Sequence, residues 1–137
     1  MKVATFPANY SSVRLICNIV SDRAKTINFS SRELYGIELA VDEACANIID
    51  HAYGGENLGT IDLFIDTEDN EIKIIFEDNG KAFEPAEVLP PDLDSPLEIR
   101  AERGLGVFLI NTLMDDVYFD APEPGLNRLT MIKRLKA

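Results

Sequence analysis

The chain has 137 residues, is 46% hydrophobic and carries a formal net charge of −11 from 24 acidic and 13 basic side chains. This length fits one ordinary domain, 1–137, with enough apolar content for a packed core. The acidic balance disfavours nucleic acid and anionic membrane as direct partners. No apolar run approaches a membrane span and no charged-then-apolar leader opens the chain, so the expectation is a soluble, cytoplasmic protein.

Lys2 to Phe6 reads as a short strand ended by Pro7. Tyr10 to Lys25 reads as a helix, because Val13, Ile16, Cys17, Val20 and Ala24 follow helical spacing, with Asn9 or Ser11 as its cap. Ser30, followed three residues later by Glu33, makes a capping box for a second helix. That helix runs to Tyr53 and stops at Gly54-Gly55. The period then changes. Gly59 to Thr67 and Glu71 to Asp78 roughly alternate, and Glu68-Asp69-Asn70 between them predicts a hairpin. Phe83 to Arg103 holds four prolines and no periodicity, the mark of a long loop. Gly104 to Met114 looks helical, with Val107, Ile110, Leu113 and Met114 apolar. Asp116 to Ala121 and Leu126 to Leu135 read as strands joined by a turn at Pro122 to Gly125. Two long helices and a short one must then cover one face of a mostly antiparallel, mixed sheet, which is a two-layer α/β sandwich. Cys17 and Cys45 both fall on apolar helix stripes, and no C-x-x-C or Cys/His cluster points to structural zinc.

The chemistry collects in three places. On the second helix, Val41, Ala44, Cys45, Ile48 and Ala52 form one apolar stripe, while Glu43 and Asn47 stack four residues apart on another face. A carboxylate there suits proton abstraction, and a carboxamide oxygen is a neutral ligand suited to Mg²⁺. The same pair also fits a solvated polar face. Asp78-Asn79-Gly80 ends a strand. It reads either as a plain turn or as an acceptor for the exocyclic amine of adenine, with Gly80 letting the base lie close to the backbone. Arg103-Gly104-Leu105-Gly106-Val107 opens the third helix, where glycines and the helix dipole favour an anion. It does not fit the dinucleotide fingerprint, which needs a preceding strand and a third glycine.

E-x-x-x-N on a helix, D-x-G after a strand and G-x-G at a helix start, in that order, resemble the ATP-binding domain of the GHKL superfamily. This is the group of gyrase, Hsp90, histidine kinases and MutL. Within it, E-A-C-A-N-I-I-D-H-A-Y, D-N-G-K-A-F and R-G-L-G-V-F-L-I-N-T-L-M-D-D-V are similar to the anti-sigma-factor serine/threonine kinases of bacteria. The likeness runs from about Phe6 to Lys133. It implies the Bergerat form of the α/β sandwich, ATP and Mg²⁺ as cofactors, and a lid at about 83–103. It implies Glu43 as general base, Asn47 as Mg²⁺ ligand, and Asp78 with Gly80 as the adenine site. It implies Gly104, Leu105, Gly106 and Val107 as the phosphate-binding turn, and Thr130 as a threonine assisting Asp78 through its hydroxyl. His51, one helical turn past Asn47, would reach the phosphates or else only pack or face solvent. Arg100 and Arg103 are the lid cations that would face the γ-phosphate.

The function that the resemblance implies is an ATP-dependent serine/threonine protein kinase that also acts as an anti-sigma factor. It would phosphorylate a STAS-type anti-anti-sigma protein, hold a sigma factor inactive by binding it, and form a homodimer. The alternative is an ATP-binding regulatory module that transfers no phosphate. A detached histidine-kinase catalytic domain is disfavoured, because such domains usually lack a glutamate at the Glu43 position and no dimerisation helix pair with a phosphoacceptor is evident. A gyrase- or MutL-like ATPase is likewise disfavoured, on the expectation that 137 residues leave no room for a transducer domain.

Overall fold

Alternation decides the sheet. In the computed structural model, which describes residues 1–82 and 105–136 apart from the side chains of 105–107, strand β2 (Thr60–Glu68) buries Ile61, Leu63 and Ile65. Strand β3 (Glu71–Asp78) buries Ile72, Ile74 and Phe76. They pair antiparallel with Leu63 opposite Phe76 and Ile65 opposite Ile74, so these side chains all fall on one face of the hairpin. The reversal uses Asp69 at φ 48°, a left-handed conformation that aspartate tolerates in turns.

Strand β1 (Lys2–Pro7) flanks β2, β5 (Leu126–Arg134) flanks β3, and β4 (Asp116–Glu123) lies at the far edge, giving the order β1-β2-β3-β5-β4. Every pairing among the described residues is antiparallel, which corrects the expected mixed sheet. β4 runs in the same direction as β3, but the hairpin that follows it inserts the reversed β5 between them. β4 also continues to Glu123, past the expected end at Ala121. Pro122 falls where the β4–β5 register shifts, between Asp120 and Glu123, and bulges and edge strands are where a sheet tolerates proline.

Helix α1 (Tyr10–Ala24) is capped by Asn9, whose side chain accepts the Ser12 N–H at 2.9 Å. Helix α2 (Ser31–Asn47) starts with the predicted capping box: Glu33 N–H donates to Ser30 Oγ at 3.1 Å, and Ser30 N–H to Glu33 Oε1 at 2.9 Å. Its continuation differs from the expectation of one regular helix to Tyr53. From Ile48 to Ala52 the chain winds as a π-helix, a wider turn that often marks functional positions. Gly54 and Gly55 then take φ of 80° and 153°, ending it where predicted.

Val13, Ile16 and Val20 of α1 and Ile37, Ala40, Val41, Ala44 and Cys45 of α2 are buried against the sheet. Helix α3 (Leu105–Leu113) packs on α2 and adds Ile110 to the same core. Both cysteines are free thiols. Burial pushes Cys17 up to about 11 and raises Cys45 as well, so both act as core groups rather than thiolates. No described helix is long and apolar enough to cross a membrane. The helices cover one face of the sheet, the α/β sandwich expected. The lid, 83–103, lies outside the described residues.

Candidate functional site

Asp78 is the last residue of β3, in phase with Ile72, Ile74 and Phe76. The alternation therefore points its carboxylate to the helical side, where it is only 6% exposed. A buried carboxylate requires donors. Here Oδ1 accepts from the Gly80 N–H at 2.9 Å and from Asn127 Nδ2 at 2.9 Å, while Oδ2 makes no hydrogen bond to any described residue. Burial pushes the carboxyl up from its ordinary value, and the Asn127 and Gly80 donors pull the other way. The result is an anchored acceptor with one oxygen free for a ligand's N–H.

Asn127 is the cross-strand partner of Asp78, which explains the contact directly. Its amide also reaches the Lys81 carbonyl at 2.9 Å and the Gly80 carbonyl at 3.3 Å. Sequence reasoning missed Asn127. The available signal was a polar residue in phase with Leu129 and Met131 on the core face of its strand. An open cleft of ≈ 410 Å³ lies beside it, between Gly80 and Ala82 on one side and the Pro124-Gly125 turn on the other.

The expected role of Thr130 is corrected by the same register. Thr130 pairs with Ile75 and Tyr118, whereas Asp78 pairs with Asn127. Ile75 and Asp78 are three residues apart, so a period of two sends them to opposite faces. The Thr130 hydroxyl is on the face of the sheet opposite Asp78 and cannot support it.

The loop after Asp78 is held against the end of the π-helix. Lys81 N–H donates to the Ala52 carbonyl at 2.7 Å. A Cβ on Gly80 would fall 2.5 Å from that same oxygen. The glycine is thus demanded by the helix end as well as fitting the expected close approach of a base. Upstream on α2, Glu43 and Asn47 are half-buried, and neither side chain makes a hydrogen bond or ion pair with a described residue. Burial and then the charge of neighbouring Asp42 raise the Glu43 carboxyl above its ordinary value, which suits a proton acceptor. His51 is exposed, also without a partner among the described residues. No group of three or more His, Cys, Asp or Glu among the described residues forms a metal cluster. Leu105, Gly106 and Val107 lie in the first turn of α3, the predicted location. Arg103 and Gly104 lie outside the described residues.

The model of the histidine kinase-like ATPase domain matches residues 6–133. The serine-protein kinases RsbW of Bacillus cereus (strain AH820) and Bacillus anthracis (strain A0248) are each 36% identical over 115 residues, 81% of this chain and 71% of theirs. The SiaB-SiaC complex from Pseudomonas aeruginosa contains a chain of similar fold, with a TM-score of 0.58 and 13% identity over 98% of this chain and 91% of that one.

Proposed function

This chain belongs to the histidine kinase-like ATPase family, and on that premise we propose that it is an ATP-dependent serine/threonine protein kinase. The observation that carries the nucleotide half of this reading is Asp78: a buried carboxylate, anchored through Oδ1, with Oδ2 left to accept from the adenine amine. The 36% identity to serine-protein kinases over 81% of the chain supports the acceptor half.

In this reading Glu43 takes the proton from a partner's serine or threonine hydroxyl as its oxygen bonds the γ-phosphorus. The bond to the β-phosphate oxygen breaks and ADP leaves. The half-buried Asn47 carboxamide, without a partner among the described residues, fits one protein ligand of an Mg²⁺ ion. Mg²⁺ is commonly held by one or two protein ligands together with substrate phosphates. When bound, it neutralises phosphate charge as phosphoryl transfer proceeds. Amides of the G-x-G segment Gly104 to Val107, whose last three residues begin α3, would hold the phosphates, with Arg103 and His51 also serving the phosphates. The lid would be 83–103 of a single domain spanning 1–137. The partner would be a STAS-type anti-anti-sigma protein, with a sigma factor bound and inhibited by a cytoplasmic homodimer of this chain.

The test is to recover binding partners by pull-down and incubate them with γ-labelled ATP and this protein. Transfer of label to a partner's serine or threonine is the expected result. ATP binding without transfer to any recovered partner would overturn the kinase reading.

A further inference from the structure

Three elements meet at one oxygen atom. The Tyr53 hydroxyl donates to the Thr60 carbonyl at 2.6 Å, at the start of β2, and accepts the Asn79 N–H at 3.0 Å, in the loop that follows Asp78. Its proton and a lone pair are both used, so the hydroxyl has one orientation. The ring is seated by Gly59, where a Cβ would stand 2.3 Å from the Tyr53 Cε1 atom. Tyr53 itself is the C-cap of the π-helix that continues from Asn47.

We infer that Tyr53 is a positioning residue: it fixes the base-recognising loop of Asp78 at a set distance from the helix that carries Glu43 and Asn47. This rests on the nucleotide reading above. The strand register and Asn127 orient the Asp78 carboxylate, yet neither relates it to α2. Two bonds tie the loop to the helix end, Lys81 N–H to the Ala52 carbonyl and Asn79 N–H to Tyr53. The second runs through a side chain and is removable by substitution. A ligand that reaches from Asp78 at its base to the Asn47 end of the helix at its phosphates spans this clasp, so its affinity depends on the separation being preset. A ligand that touches Asp78 alone does not.

The test compares Mg-ATP with adenosine. Affinities of wild type and Tyr53→Phe for both are measured by competition titration, with the thermal midpoint recorded as a check of folding. Tyr53→Phe removes both hydrogen bonds of the hydroxyl, and loss of the one that holds the loop should weaken Mg-ATP about 2- to 10-fold, with adenosine affinity changed much less. The ratio of the two dissociation constants therefore shifts. Gly59→Ala, which displaces the ring from the other side, should shift the ratio the same way. In Tyr53→Phe, exchange of the Asn79 amide should also quicken relative to amides in β1. An unchanged ratio in both variants overturns the inference and leaves Tyr53 as a packing residue. A wild type that binds no Mg-ATP refutes the nucleotide reading itself, and the positioning role falls with it.

Discussion

Replacing Asn127 by alanine removes the donor that holds Asp78 Oδ1 at 2.9 Å and the Lys81 carbonyl at 2.9 Å. A hydrogen bond to an ionised group is worth about 1.5–3 kcal/mol. The Gly80 N–H remains on Oδ1, so the carboxylate stays partly satisfied and the protein should still fold. The thermal midpoint should fall by roughly 5–10 °C. With Asp78 held by the Gly80 N–H alone and its loop loosened, Mg-ATP affinity should drop about tenfold, equivalent to about 1.4 kcal/mol. The control is Thr130→Ala. Thr130 pairs with Ile75 and Tyr118 on the opposite face of the sheet, so its loss should leave the affinity within about twofold. Calorimetric titration of both variants decides the matter. An Asn127→Ala protein with wild-type affinity, or a Thr130→Ala protein that loses tenfold, would refute the register argument.

Two further outcomes follow from the site. Asp78→Asn replaces an acceptor oxygen with a donor amide or reorients it, and Mg-ATP affinity measured by calorimetry should fall about tenfold or more; an unchanged value removes Asp78 from the site. Glu43 gives a pH signature. Its carboxyl is raised by burial and by Asp42, so the folded chain binds that proton more tightly than the unfolded chain. Its contribution to stability is complete below the ordinary glutamate range and is lost as pH rises through the folded value. Denaturation curves of wild type minus Glu43→Gln should show that loss, and the phosphotransfer rate should rise over the same window as the base ionises. A flat difference curve would mean that the carboxyl titrates as an ordinary one.

What could be read from the sequence was what depends on nearby residues. Ser30 and Glu33 form their capping box within one turn, and the β2–β3 hairpin needs only a period of two and a short polar turn. Glu43 and Asn47 emerged because their spacing is helical. What depends on register across the sheet was hidden. Asn127 meets Asp78 only because β5 lies beside β3 with that alignment, and 49 residues separate them. The same alignment turns Thr130 away, which its residue type gives no hint of. The π-helix from Ile48 to Ala52 was also unreadable, since its apolar positions fit an α-helix equally well. Gly80 was legible as important, but the atom that excludes a side chain, the Ala52 carbonyl, belongs to an element far away in sequence.

The most direct test of the account separates catalysis from binding at Glu43. Glu43→Gln keeps the shape and the helix while removing the base. General-base catalysis contributes roughly 10²- to 10⁴-fold in rate. Transfer of label from γ-labelled ATP to the co-purified partner should therefore fall by at least about 100-fold, with the Mg-ATP dissociation constant within about threefold of wild type. A Glu43→Gln protein that phosphorylates the partner at the wild-type rate would contradict the account.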